Sequence, residues 1–109
     1  MSNTVKTVTV KELQQMMEEN KDFQLIDVRE PEEYEFSNIG GELIPMGQLL
    51  ANVDTISREI PVLMLCRSGS RSGNAVAALQ HRFGFTNLFN VEGGILAWSD
   101  EIDPSIPLY

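Results

Sequence analysis

The chain's single cysteine, Cys66, directly follows the apolar run Pro61-Val62-Leu63-Met64-Leu65 and opens the segment Cys66-Arg67-Ser68-Gly69-Ser70-Arg71-Ser72. The apolar run reads as a buried strand, and Ala75, Val76, Leu79 and Phe83 recur after the segment at helical spacing. The thiol therefore sits in a strand-to-helix turn, where backbone N–H groups and the positive end of a helix dipole face whatever the turn holds. A thiol has a reference pKa of about 8.5, and amides, guanidinium groups and a helix N-terminus all favour its thiolate. Cys66 is thus expected to be nucleophilic at neutral pH. Gly69 relieves crowding in a tight ring, and Ser68 and Ser70 can add hydroxyl donors around a terminal oxygen or sulfur anion. Arg71 can neutralise an arriving anion, and Arg67 can do so from the rim or remain a solvated charge. The only histidine, His81, lies two turns into the helix between Gln80 and Arg82, on its polar face, so a cysteine–histidine dyad is not expected. A cysteine serving merely as a small core hydrophobe would not need a glycine, serines and two arginines immediately after it.

Loop length separates the chemistries open to such a cysteine. Tyrosine and dual-specificity phosphatases place five residues between cysteine and arginine, whereas four, Arg67 to Ser70, lie between Cys66 and Arg71. This shorter loop resembles that of rhodanese-type sulfurtransferases, which accommodates a persulfide sulfur. Three further segments carry the resemblance over nearly the whole chain. Leu25-Ile26-Asp27-Val28-Arg29-Glu30-Pro31-Glu32-Glu33-Tyr34 is similar to the family's first signature, a buried strand ending in Asp-x-Arg before a short acidic helix. Ser37-Asn38-Ile39-Gly40-Gly41 follows, with Asn38 where the family commonly has histidine, and Val91-Glu92-Gly93-Gly94-Ile95-Leu96-Ala97-Trp98 matches its closing Gly-Gly-x-x-x-Trp motif.

The resemblance implies a sulfurtransferase that carries sulfur as a Cys66 persulfide. The donor would be thiosulfate or a protein persulfide, and the acceptor cyanide or a thiol. Amides of Arg67 to Ser72, with Arg71, would stabilise the sulfur anion, and no metal or organic cofactor would be needed. The motifs are particularly similar to those of rhodanese domains fused to enzymes that activate sulfur carriers, which suggests a cysteine desulfurase or a sulfur-carrier protein as partner. Other readings stay open at this point: a noncatalytic rhodanese-like docking module, a cysteine-dependent phosphatase or arsenate reductase, and a redox sensor using a Cys66 sulfenic acid that an external thiol would resolve.

These side chains need a scaffold, and the chain alternates short apolar strands with helical segments, the pattern of a parallel sheet with right-handed crossovers. Strands are predicted at Thr7 to Val10, Gln24 to Val28, Glu42 to Ile44, Val62 to Leu65 and Leu88 to Val91. Helices are predicted at Lys11 to Glu19, Pro31 to Phe36, Met46 to Ser57, Ser72 to Phe83 and Ile95 to Ser99, with Gly84 as a C-terminal stop. The expectation is an α/β fold: one domain over residues 1–109, a five-stranded, mainly parallel sheet with helices on both faces, and Cys66 at the C-terminal edge of a central strand, where such sheets bind ligands. Asp27 and Arg29 end the second strand, either tying it to the cysteine loop or forming an exposed turn ion pair. Trp98 reads as a core or lid anchor, and Met16, Met17 and Met64 as core or helix-face residues.

Composition narrows the setting. The chain has 109 residues, 16 acidic and 8 basic, for a formal net charge of −8. Such a charge opposes nonspecific binding to nucleic acid or to an anionic membrane surface, and it can steer a basic protein partner. One cysteine allows no internal disulfide, and a free reactive thiol suits a reducing compartment, so the cytoplasm is the expected location. Met1 to Val10 has neither a basic n-region nor an apolar h-region, and no apolar run reaches spanning length.

Overall fold

The computed structural model describes residues 4–109; Met1, Ser2 and Asn3, the start of the stretch read for a leader, lie outside them. Its centre is β4 (Val62–Leu65), the run before the cysteine, with all four residues buried. The strand pairs in parallel with β2 (Gln24–Asp27) on one side and β5 (Leu88–Val91) on the other, and β3 (Glu42–Leu43) and β1 (Thr7–Val8) complete the order β1-β5-β4-β2-β3. Every pairing is parallel, which explains why β4 is apolar throughout: a parallel sheet covered on both faces has no wet side. Val62 and Met64 join one core with Ala75, Val76 and Leu79 of α3 (Ser70–Phe83). Leu63 and Leu65 join the other, with Val10 and Leu13 of α1 (Val10–Glu18) and Trp98 of α4 (Gly94–Glu101). The short helix α2 (Pro31–Phe36) follows β2. The expected α/β architecture is present, with Cys66 at the C-terminal edge of the central strand.

Beyond one-residue shifts at the ends of α1, β2 and β3, the structure differs from the sequence reading in four places. The helix predicted over Met46 to Ser57 is instead two 3-10 segments, Met46–Gln48 and Leu50–Thr55, with a kink at Asn52 (φ −116°). Gly47 weakens a regular helix there, and the side chains of Asn52 and Thr55 donate to the carbonyls of Gln48 and Asn52, which competes with the α ladder. β1 stops at Val8 because Thr9 is already the N-cap of α1: its hydroxyl accepts from the Glu12 amide while the Glu12 carboxylate accepts from the Thr9 amide. α3 begins at Ser70, not Ser72, because Gly69 at φ +99° turns the chain straight into the helix. α4 runs from Gly94 to Glu101, longer at both ends than predicted.

Candidate active site

Cys66 is 1 % exposed, at the bottom of the turn between β4 and α3. Its Sγ accepts a hydrogen bond from the Gly69 amide at 3.1 Å and lies 3.3 Å from the Ser72 hydroxyl, in the first turn of α3. The carbonyls of the turn are engaged elsewhere. Those of Cys66 and Arg67 accept from the amides of Ile95 and Leu96, at 2.9 and 3.0 Å, in the first turn of α4. The Gly93-Gly94 pair makes this approach possible. Gly94 has φ +58°, and a Cβ on it would stand 2.5 Å from both carbonyl oxygens. With its carbonyls drawn off toward α4, the turn presents N–H groups to the sulfur. Burial pushes the Cys66 thiol up, but the Ser72 hydroxyl and the amides of Ser72, Gly69 and Ser68 outweigh it and hold the thiol below its ordinary value.

Neither loop arginine is a free cation. Arg71 makes a bidentate pair with Glu33 of α2, at 2.7 and 2.8 Å. Arg71 holds the Glu33 carboxyl down at about 2, against the upward push of burial. Arg67 lies 5.1 Å from the Tyr109 ring centre and donates to the Tyr109 backbone oxygen. Ser68 and Ser70 are exposed. The expected hydroxyl contribution around the sulfur comes instead from Ser72, because the early start of α3 brings that residue onto Sγ. His81 is exposed, as expected of a polar-face residue.

Asp27 and Arg29 are fully buried, which removes the exposed-pair reading. The Arg29 guanidinium donates to both Asp27 carboxylate oxygens at 2.9 and 2.8 Å, and to the Ser37 and Glu33 carbonyls at 2.8 and 3.3 Å. It thus braces the end of α2, satisfying the carbonyl of the C-cap Ser37 and adding a second donor to the Glu33 carbonyl, which already accepts from the Ser37 amide. The link to the cysteine loop is indirect. Arg29 donates to the Tyr109 hydroxyl, that hydroxyl donates to Glu33, and Glu33 holds Arg71. Asn38 donates to the Tyr34 carbonyl and accepts from the Gly40 amide, closing the turn after α2.

Three polar residues at the site escaped the sequence reading. Glu33 looks like part of a helix-capping pattern with Glu30, and nothing local signals a partner 38 residues away. Tyr109 carries no motif. Asn90 did leave a signal, as the one polar residue in the strand Leu88-Phe89-Asn90-Val91. Among the described residues, no group of three or more His, Cys, Asp or Glu side chains is placed to hold a metal ion.

A parallel α/β sheet with a cysteine cradled at the C-terminal edge of its middle strand narrows the class of protein, and comparison with known proteins supplies the family. Residues 9–101 match the family model for the Rhodanese-like domain, and the chain belongs to that family. It is 35% identical over 101 residues to "Putative sulfurtransferase YtwF" of Bacillus subtilis, covering 92% of this chain and 96% of that protein. It is 30% identical over 106 residues to "Probable adenylyltransferase/sulfurtransferase MoeZ" of Mycobacterium tuberculosis, covering 94% of this chain but only 27% of that longer protein. Among solved structures, a rhodanese-like domain protein from Staphylococcus aureus superposes with a TM-score of 0.81 at 31% identity, covering 96% of this chain and 99% of that one.

Proposed function

We infer that the chain is a sulfurtransferase working by double displacement at Cys66. The observation that carries this reading is the sulfur itself, buried at the floor of a four-residue-spaced loop, facing amides and a hydroxyl that favour its anion. Such a cradle suits a slim terminal sulfur better than a phosphoryl group. The Cys66 thiolate attacks the sulfane sulfur of thiosulfate or a persulfide; the new S–S bond forms as the old one breaks, and sulfite or the donor thiolate departs with the bonding electrons. The acceptor, cyanide in an assay or a thiol in the cell, then attacks the terminal sulfur, and the Cys66 thiolate leaves. Both displacements balance without an external oxidant or reductant, so the scheme requires no cofactor. Preorganised donors from Arg67 to Ser72 stabilise the thiolate each time it forms. Arg71, paired with Glu33, braces the loop and presents a partly neutralised charge at its rim.

The likeness to proteins named as sulfurtransferases supports this class of reaction. The name of one of them, which joins adenylyltransferase and sulfurtransferase, supports a role in sulfur relay, and our reading gives it a cysteine desulfurase as donor or a sulfur-carrier protein as acceptor, in the reducing cytoplasm. Intact-protein mass spectrometry after incubation with thiosulfate tests the reading. Wild type should gain one sulfur atom, lose it to cyanide and release thiocyanate, while Cys66→Ser gains none and keeps its fold. No adduct from thiosulfate or from a cysteine desulfurase would move the chain to the noncatalytic docking class.

A further inference from the structure

Asn90 is out of place by the ordinary rules of a sheet. It lies in β5, an interior strand bonded to β1 and β4, where asparagine is disfavoured. Its side chain bonds to two of the residues that hydrogen-bond the Cys66 sulfur. Asn90 Nδ2 donates to the Gly69 carbonyl at 2.9 Å, and Oδ1 faces the Ser72 hydroxyl at 2.5 Å. This orientation is fixed, since a flipped amide would set its oxygen against the Gly69 carbonyl. The loop also leaves it room. A Cβ on Gly73 would stand 3.1 Å from Asn90 Nδ2, and one on Gly69 would stand 3.7 Å from it.

Resting on the reading of Cys66 as the nucleophile, we propose that Asn90 is a positioning residue that holds Gly69 and the Ser72 hydroxyl in register with the sulfur. Ser72 has one hydroxyl proton and two acceptors, Asn90 Oδ1 and Cys66 Sγ, so it serves one at a time. While the sulfur is a thiol, or is bonded within a persulfide, the proton rests on Asn90. When the sulfur becomes anionic it competes with Asn90 Oδ1 for that proton, and the hydroxyl, kept beside the sulfur by its place in the first turn of α3, turns its hydrogen from one to the other. Through both displacements the Nδ2 bond to the Gly69 carbonyl stays made, and it keeps the Gly69 amide aimed at the sulfur.

The test reads Cys66 directly by its rate of alkylation with iodoacetamide as a function of pH, in wild type, Asn90→Ala, Ser72→Ala and the double variant. The chain has one cysteine, so the signal belongs to one site. Asn90→Ala is expected to move the alkylation profile to higher pH and to lower the rate at pH 7 about threefold or more, the size of one lost hydrogen bond. In the Ser72→Ala background the same change should have a larger effect, because the release of the Ser72 proton that partly offsets it in wild type is gone and only the loss of the Gly69 brace remains. An unshifted profile, a shift to lower pH, or effects that simply add would overturn the proposal. If Asn90→Ala fails to fold, Asn90→Val, which suits an interior strand, takes its place with the same expectations. A wild-type chain that alkylates readily but never gains sulfur would sink the sulfur-transfer reading and leave this one standing.

Discussion

Glu33 shows how a side chain outside the loop governs the site. Its carboxylate accepts from Arg71 twice, from the Tyr109 hydroxyl and from the Glu30 amide, so the charged form is favoured strongly in the folded state. The folded carboxyl titrates at about 2, below an unfolded value of about 4.3. A lowered acid contributes stability that is complete above the unfolded value and is lost as pH falls through the folded one. Glu33→Gln is therefore expected to cost about 1–2 kcal/mol at pH 7, discounted for the half-open Arg71. The difference from wild type should shrink between pH about 4.3 and about 2. Urea unfolding midpoints at pH 7, 4 and 2 check this, and a gap that stayed constant with pH would remove Glu33 as its source. At this scale the sequence was legible where chemistry is concentrated in a few consecutive residues, as at Cys66. It was silent where a partner comes from afar: Glu33 lies 38 positions from Arg71, and Tyr109 lies 76 from Glu33. The Asp27–Arg29 pair is intermediate, since its spacing announces an ion pair but not the burial that makes it a brace for α2.

At the scale of elements, the cradle is built by two helix starts meeting one strand end. α3 supplies the Ser72 hydroxyl and its amides, β4 supplies the cysteine, and α4 withdraws the loop carbonyls. Gly94 is the point of contact, so Gly94→Ala must displace the loop. It combines a left-handed backbone with a Cβ at 2.5 Å from two carbonyl oxygens, and the expected cost is about 2–4 kcal/mol with a fall in Cys66 alkylation rate. Gly84 is the control. It has φ +69° with nothing within 4 Å of an added Cβ, so Gly84→Ala should cost only about 1–2 kcal/mol and leave Cys66 unaffected. Equal effects of the two on alkylation would mean that α4 does not set the loop. Elements with strong periodicity were readable, as β4, β5 and the body of α3 attest. Those set by competing side-chain hydrogen bonds were not: the Thr9–Glu12 box starts α1 early, and Asn52 with Thr55 breaks the segment after β3 into 3-10 turns.

At the scale of the whole molecule, an arriving anion meets two fields of different range. The net charge of −8 acts over a Debye length, about 10 Å at 0.1 M salt, while the loop amides act only at contact. With Arg71 neutralised by Glu33, Arg67 against Tyr109 is the one loop charge left to oppose the acidic surface at long range. Raising ionic strength from about 10 mM to about 150 mM should therefore increase kcat/KM for the thiosulfate dianion by a few-fold, leaving kcat nearly unchanged, since the cradle itself is buried. A basic protein donor would respond in the opposite sense, because screening weakens its attraction to the same surface. Steady-state rates with each donor across a salt series separate the two. A fall in kcat/KM for thiosulfate would show that the loop arginines dominate despite their partners, and Glu33→Gln would then steepen that fall by leaving Arg71 unpaired.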